Sequence, residues 1–239
     1  MRWLYWGLAL LVVLAAGGYA VRQAVFVSPK SPNPSFAPEP LPTAPQEETR
    51  PAVFLTFDAG GNNGGVAKIR DVLRSEKIPA TFFLTGRFME RYPEDAKTLL
   101  ELGPIGNHTY SHLHLAQLAF ASATAQILKT EEVAASLGLS LKPYFRFPYG
   151  ESTPELMKFI EENGYKAYGW TVDTAGWRGT SAGETIENIR ERVKKKLAPD
   201  AIILMHLGSN PQDKSTLDAD ALPFLIDDIR AAGYIFKAL

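Results

Sequence analysis

The segment Ala52-Val53-Phe54-Leu55-Thr56-Phe57-Asp58 decides the fold. It is a continuous apolar run, rich in β-favouring residues, and it ends in a carboxylate. A run without polar alternation is typical of a strand that is buried on both faces, as in a parallel sheet. A second run, Ala201-Ile202-Ile203-Leu204-Met205, ends in His206. The sequence therefore predicts buried parallel strands with polar side chains at their carboxyl ends.

Strand-like and helix-like segments alternate along the rest of the chain. Apolar residues at helical spacing, with start and stop signals, predict helices over residues 65–76, 93–102, 119–137, 153–163, 183–197 and 220–232. Further strands are predicted over residues 80–84, 104–106, 144–147, 166–172 and 234–239. Repeated β–α units indicate parallel strands wrapped by helices. We predict a distorted parallel (β/α) barrel of about seven strands, in preference to a doubly wound sheet.

The amino-terminal residues differ in composition from this domain. Trp3 to Val21 is uncharged and mostly apolar, and as a helix it would span roughly 28 Å, close to the hydrocarbon thickness of a bilayer. We predict that residues 1–22 form a signal peptide or a membrane anchor, and favour the anchor because the apolar run is long. Nearly half of the 17 prolines lie between Pro29 and Pro51, which predicts an extended linker over residues 23–51. The folded domain then covers residues 52–239, outside the cytoplasm, membrane-anchored or secreted.

The composition excludes several classes of function. A net charge of -1 and a pI of about 6.4 offer no basic surface, so no nucleic-acid partner is expected. The sequence has no cysteine, which excludes disulfides, thiolate metal ligands and a cysteine nucleophile. Nothing in the sequence indicates an oligomeric state.

Polar side chains follow five of the predicted strands: Asp58, His108, Arg146, Asp173 and His206. All 4 histidines of the chain fall either within residues 106–114 or at position 206. In parallel β/α barrels the chemistry lies at the carboxyl ends of the strands. The sequence therefore predicts that these side chains converge on a single site.

Five short motifs in this chain resemble, in order, those of polysaccharide deacetylases, the NodB-homology domain of carbohydrate esterase family four. They are Thr56-Phe57-Asp58, His108-Thr109-Tyr110-Ser111-His112, Arg146-Phe147-Pro148-Tyr149, Asp173-Thr174-Ala175-Gly176-Trp177 and Leu204-Met205-His206. The resemblance covers residues 52–239. It implies a distorted barrel that hydrolyses the N-acetyl group of an amino sugar with the help of a divalent metal, usually zinc.

The resemblance implies which residues bind the metal and activate the attacking water. His108 and His112 would bind the metal, and their i, i+4 spacing would place both rings on one face if the segment makes a helical turn. Asp58 would be the general base that deprotonates the attacking water. Arg146 would be the partner that keeps this aspartate charged. His114 has no counterpart in the motif, and we interpret it as a rim or structural residue.

The remaining matches concern the amide substrate. The backbone N–H of Tyr149 would stabilise the oxyanion, and His206 would protonate the leaving amine. Leu204 and Trp177 would line a pocket for the acetyl methyl group. This division is chemically reasonable, because an amide needs polarisation, an activated water and a proton donor together.

Two positions depart from the family pattern. Ala59 stands where relatives usually have a second aspartate as the third metal ligand. Either Asp58 turns to bind the metal, or Asn62, Asn63 or a water completes a weaker shell, or no metal binds and the domain only holds glycan. We expect a divalent metal, zinc above all, bound less tightly than in relatives that have both aspartates.

The second departure is Gly176, where relatives usually have an aspartate that tunes the acid histidine. Without a carboxylate nearby, the pKa of His206 is predicted to be lowered, unless Asp173 takes over that role. Asp173 is therefore a candidate catalytic residue.

These observations predict an N-deacetylase that acts on an amino-sugar polymer. A location outside the cytoplasm suits a polymer of the cell envelope, so peptidoglycan is the first expected substrate and chitin-like oligomers are the second. Two alternatives stay open: a catalytically silent glycan-binding wall module, and an acetyl-ester hydrolase with the same machinery. A glycosidase that uses two carboxylates is disfavoured, because Asp58 and Asp173 have no evident pairing of roles.

Overall fold

The computed structural model describes residues 50–239. The predicted anchor or signal peptide over residues 1–22 lies outside the described residues, as does the predicted linker up to residue 49. Within the described part, no helix is long and apolar enough to cross a bilayer. The first strand of the described part begins at Ala52.

The strands of the described part are β1 (Ala52–Ala59), β2 (Thr81–Leu84), β3 (Ile105–Asn107), β4 (Tyr144–Phe145), β5 (Lys166–Ala167), β6 (Val172–Asp173), β7 (Ala201–His206) and β8 (Ile235–Lys237). The helices are α1 (Val66–Glu76), α2 (Gly86–Arg91), α3 (Pro93–Leu100), α4 (Phe120–Ser136), α5 (Pro154–Glu162), α6 (Ile186–Lys196) and α7 (Leu217–Ala231). Two short 3-10 turns, Pro148–Gly150 and Gly176–Arg178, lie close to strand ends.

All strand pairs are parallel, in the order β5-β4-β3-β2-β1-β7-β6, and β8 also pairs with β1. This order confirms the predicted distorted parallel barrel. Among residues 50–239, no ladder joins β5 to β6, so the sheet curves without closing. The register matters for function, because Asp58 of β1 stands opposite His206 of β7.

β1 is an interior strand that pairs with β2, β7 and β8, and its side chains are largely buried. Leu55 and Phe57 are fully buried in the apolar core. Helix α1 covers this core with Val66, Ile69 and Leu73, which recur at helical spacing and are buried. The polar Thr56 and Asp58 alternate with the apolar residues along the strand and are also buried. The core therefore holds a strand whose other face carries polar side chains.

The structure corrects the predicted strand over residues 166–172, which is two short strands, β5 and β6. Between these strands, two backbone carbonyl groups accept hydrogen bonds from a side chain rather than from a neighbouring strand. The Tyr168 oxygen accepts from Arg146 Nε at 3.1 Å, and the Gly169 oxygen accepts from Arg146 Nη2 at 2.9 Å. A buried guanidinium therefore takes up backbone acceptors that a continuous strand would have offered to a neighbour.

Helix α2 was not predicted, and α7 begins three residues earlier than predicted, at Leu217. A sequence signal for α2 exists, because Thr85 caps the helix by accepting a hydrogen bond from the Phe88 N–H at 3.1 Å. Threonine is a favoured N-cap residue. The helix was missed because six residues are too few to show a periodic pattern.

Candidate active site

A cavity of about 660 Å³ opens at the carboxyl ends of the strands. Every predicted site residue except Arg146 lines it: Asp58, His108, His112, Tyr149, Asp173, Trp177, Leu204 and His206. Arg146 is fully buried behind the cavity wall. The structure therefore brings the predicted residues together, and the roles assigned to them stay predictions.

Asp58 and Arg146 form a buried ion pair. Arg146 Nη1 lies 2.8 Å from Asp58 Oδ1 and 2.9 Å from the Thr56 hydroxyl oxygen. The guanidinium also lies 4.1 Å from the centre of the Phe83 ring. With its two carbonyl acceptors at Tyr168 and Gly169, the guanidinium is held from several directions. This arrangement fixes the direction in which the carboxylate points.

Opposing effects act on the pKa of Asp58. Burial favours the neutral acid and raises the pKa, but the charges of Arg146, His108 and His206 outweigh burial and hold the pKa below its ordinary value. Asp58 is therefore ionised at neutral pH. An ionised carboxylate at a cavity wall has the form that a general base requires.

His108 and His112 lie side by side, with ring centroids 4.8 Å apart. The predicted helical turn is absent: the segment is irregular, and His112 has a left-handed backbone with φ 58°. A hydrogen bond between Ser111 N–H and Gln126 Oε1, at 2.9 Å, helps to fix this conformation. The two imidazoles therefore meet through loop geometry rather than through helical spacing.

The protonation of both rings suits metal binding. His108 Nδ1 lies 2.9 Å from the Arg146 backbone oxygen, which can only accept, so Nδ1 carries the proton. His108 Nε2 is buried without a hydrogen-bond partner and lies 3.4 Å from Asp58 Oδ2. Burial lowers the pKa of His108, and burial with the charge of His108 lowers the pKa of His112 to about 4. Both imidazoles are therefore neutral ligands at pH 7.

A third protein ligand is not evident. Within residues 50–239, no group of three histidines or carboxylates is arranged to hold a metal. Ala59 is fully buried and offers no ligand atom. Asn62 is engaged by Ser209, whose N–H lies 2.7 Å from Asn62 Oδ1, and Asn63 donates to Asp95 at 2.7 Å. The structure therefore does not support Asn62 or Asn63 as substitute ligands, and the residues present offer two neutral imidazoles, one protein ligand fewer than a usual catalytic zinc site has.

The prediction of a lowered pKa for His206 is wrong. Burial does lower it, but the hydrogen bond and charge of Asp218, with the charges of Asp58 and Asp173, outweigh burial and raise the pKa. Asp218 Oδ2 lies 3.4 Å from His206 Nδ1 and accepts from the His206 backbone N–H at 2.9 Å. Asp218 was missed because it lies outside the five motifs and reads as an ordinary acidic residue at a helix start.

Among the described contacts, Asp173 makes no hydrogen bond to His206. Its carboxylate accepts from the Ala175 N–H at 2.7 Å and from Trp177 Nε1 at 3.4 Å. Asp173 therefore orients Trp177, whose side chain is half-exposed at the cavity mouth, while Leu204 is buried in the wall. An aromatic ring beside an apolar wall suits the methyl group of an acetyl substituent.

Tyr149 and His114 form part of the rim. Tyr149 has φ 60° within the 3-10 turn Pro148–Gly150, and its hydroxyl donates to the His112 backbone oxygen at 3.3 Å. The His114 ring stacks on the Tyr149 ring at 3.7 Å, and its Nδ1 lies 2.9 Å from Glu151 Oε2. These contacts fit the interpretation of His114 as a rim residue.

Comparison with known proteins adds independent information. The sequence profile of the family described as "Polysaccharide deacetylase" matches residues 46–168. A peptidoglycan-N-acetylglucosamine deacetylase of Bacillus cereus is 37% identical over 188 residues, which cover 78% of this chain and 66% of that protein. The peptidoglycan-N-acetylmuramic acid deacetylase PdaA of Bacillus subtilis is 30% identical over 190 residues, covering 78% of this chain and 69% of that protein.

Solved structures give the same picture. The Bc1960 peptidoglycan N-acetylglucosamine deacetylase superposes with a TM-score of 0.72 at 33% identity, covering 80% of this chain and 87% of that one. BA3943 of Bacillus anthracis, described as a pseudoenzyme of the CE4 family, superposes with a TM-score of 0.70 at 26% identity, covering 80% of this chain and 64% of that one. The fold is thus similar to that of an active deacetylase and to that of an inactive relative.

Proposed function

This chain belongs to the polysaccharide deacetylase family, and on that premise we propose that it removes the N-acetyl group from the amino sugars of peptidoglycan. The main support for the proposal is that the proposed base and the proposed acid occupy paired positions on two neighbouring strands. Asp58 and His206 face each other in register on β1 and β7, and both line the cavity. Their pKa values move in opposite directions, one lowered and one raised, as a base and an acid require.

The residues divide the work as follows. Asp58 accepts a proton from the attacking water, and Arg146 keeps Asp58 ionised between turnovers. The Tyr149 backbone N–H donates to the developing oxyanion. His206 donates its proton to the amine nitrogen as the carbon–nitrogen bond breaks. Leu204 and Trp177 hold the acetyl methyl group.

His108 and His112 would hold the divalent metal, for which we propose zinc. When bound, such an ion supplies Lewis-acid polarisation of the carbonyl and lowers the pKa of water. The unpartnered Nε2 of His108 and the neutral state of both rings support this assignment. Because Ala59 supplies no carboxylate, we propose that the metal binds less tightly than it would with a third protein ligand.

The rest of the chain suits a substrate in the cell envelope. We propose that residues 1–22 anchor the protein in the membrane or direct its secretion, and that residues 23–51 act as a spacer. Residues 52–239 then form the catalytic domain outside the cytoplasm.

A substrate panel tests the proposal. Acetate release by the full-length protein is measured on peptidoglycan, chito-oligosaccharides and acetylated xylan, with zinc and with a chelator. We expect the highest rate on peptidoglycan, a lower rate on chito-oligosaccharides, and loss of both with the chelator. Release from acetylated xylan alone would identify an ester hydrolase instead. Glycan binding without release from any polymer would identify a silent wall module.

The metal site makes a first prediction, on Ala59→Asp. Ala59 is fully buried, so an added carboxylate loses water and lowers the melting temperature of the metal-free protein. Zinc is expected to restore the melting temperature, and its dissociation constant is expected to fall at least about tenfold, or about 1.4 kcal/mol. Calorimetry and zinc titration measure both quantities.

Ala80→Asp is the matched control, because Ala80 is also fully buried but directly precedes the amino end of β2, whereas His108 and His112 follow the carboxyl end of β3. It is expected to lower the melting temperature without rescue by zinc. Equal zinc affinity in the wild type and in Ala59→Asp would contradict the assignment of the metal site.

The pKa shifts make a second prediction, on the pH profile. The base Asp58 has a lowered pKa and stays ionised, whereas the acid His206 must be protonated and has a raised pKa. The value of kcat/KM on an N-acetylated glycan should therefore fall as pH rises through the pKa of His206, above 6.5. On the acid side it should fall as protonation of His112, whose pKa in the metal-free protein is about 4, competes with metal binding. A rate still increasing at about pH 9 would exclude His206 as the acid.

A further inference from the structure

Gly176 and Asp218 compete for the same space. A Cβ atom built on Gly176 would lie 2.4 Å from Asp218 Oδ1 and 2.6 Å from its Cγ. Real Cβ contacts are not that short, so no side chain fits at position 176 while Asp218 keeps its position. The carboxylate that the sequence lacks at position 176 is therefore present in space, supplied by the first turn of α7.

The Asp218 carboxylate is fixed at both oxygens. Oδ2 accepts from the His206 backbone N–H at 2.9 Å and lies 3.4 Å from His206 Nδ1. Oδ1 accepts from the Thr174 hydroxyl at 2.6 Å. The side chain is 3% exposed, so it has little freedom to move. Such a carboxylate fixes the ring of His206, with Nδ1 towards Asp218 and Nε2 left for the substrate.

Building on the proposed function, we propose that Asp218 is the positioning residue of the acid histidine and that it governs departure of the amine. As the carbon–nitrogen bond breaks, its electron pair goes to nitrogen, and the His206 Nε2 proton is transferred to that nitrogen. Asp218 holds the imidazolium in place through its contact with Nδ1. Attack of water on the carbonyl does not need Asp218.

Two substrates with different leaving groups distinguish a role of Asp218 in proton donation from a purely structural role. An amine departs only with a proton, whereas p-nitrophenolate departs without one. Asp218→Asn keeps the size of the side chain and removes its charge. In the full-length protein we expect kcat on N-acetylated chito-oligosaccharide to fall about 100-fold, since general acids contribute that much or more. The rate on p-nitrophenyl acetate should stay within about threefold of the wild type.

The matched control is Asp220→Asn. Asp220 lies in the same first turn of α7 but pairs with Lys68 at 2.7 Å. This variant should hydrolyse both substrates like the wild type. Equal losses on amide and ester in Asp218→Asn would show a structural role and overturn the proposal, as would no loss on either. A wild type that releases no acetate from chito-oligosaccharide or from peptidoglycan would instead overturn the proposed function.

Moving the carboxylate from position 218 to position 176 tests whether a charge in this space is what His206 requires. Asp218→Ala should lose amide hydrolysis and empty the space beside Gly176. The double variant Gly176→Asp/Asp218→Ala should recover at least about tenfold of the lost rate, because it returns a charge near His206 Nδ1. Gly176→Asn/Asp218→Ala, which restores volume without charge, should not recover. Ester hydrolysis in each variant shows that it is folded, and equal recovery by aspartate and asparagine would overturn the proposal.

Discussion

An Asp58→Asn variant is expected to lose about 1000-fold in kcat on an N-acetylated glycan, within the range of general-base contributions. The amide keeps the shape of the side chain but cannot accept the proton of the attacking water. Because Asp58 is also the partner of the buried Arg146, this variant is expected to lose stability as well, so its rate is measured under conditions in which circular dichroism shows it to be folded. Acetate release under saturating substrate measures kcat directly.

Asp71→Asn is the control for this variant, because Asp71 lies on the exposed side of α1 and pairs with Arg70 at 2.8 Å. It should keep the wild-type rate. A loss of less than about tenfold in Asp58→Asn would mean that another group deprotonates the water, and the assignment of the base would be wrong.

Replacing Arg146 with alanine should lower the free energy of unfolding by about 3–5 kcal/mol, the usual effect of removing one partner of a buried ion pair. Arg146 is fully buried and donates to Asp58, Thr56 and two backbone carbonyls, and each of these hydrogen bonds would be lost. Asp58 would also become harder to ionise, so activity should fall together with stability. Urea denaturation measures the first effect and acetate release the second.

The stability difference between wild type and Arg146→Ala is also expected to depend on pH in a defined direction. The lowered pKa of Asp58 means that its ionised form stabilises the folded state above the unfolded pKa, and that this contribution is lost as pH falls through the folded pKa. The difference between wild type and Arg146→Ala should therefore persist down to about pH 4 and shrink below it.

Arg190→Ala is the matched control, since Arg190 forms a partly exposed ion pair with Asp228 at 2.7 Å. Its loss should destabilise the fold much less than the loss of Arg146, because exposed ion pairs are screened by solvent. Comparable destabilisation in the two variants would show that the Arg146 pair is not special, and would remove the physical basis for a permanently ionised Asp58.

Local patterns in the sequence predicted most of the barrel, because buried parallel strands leave long apolar runs. β1 and β7 were evident for that reason, and so were the polar residues that end them. The division of residues 166–172 into two strands could not be predicted, since its cause is the side chain of Arg146, about twenty residues away. Contacts of that kind depend on the folded chain.

The same limit applies to the site. The motifs identified Asp58, His108, His112 and His206, whose positions follow from strand ends. The partner of His206 could not be found that way, because Asp218 comes from a helix that packs beside the cavity after the chain has turned back. Gly176 led to the prediction that His206 lacks a carboxylate at this position. In the structure, the Asp218 carboxylate occupies the space beside Gly176.

The most direct test of the account is the simultaneous appearance of acetate and free amino groups on purified peptidoglycan treated with the full-length, zinc-supplied protein. We expect both products in equal amounts, and neither product from the His206→Ala variant, because that variant cannot protonate the leaving amine. Acetate without new amino groups would show ester cleavage. Full activity in His206→Ala would show that the side chains gathered in this cavity do not act as one deacetylase site.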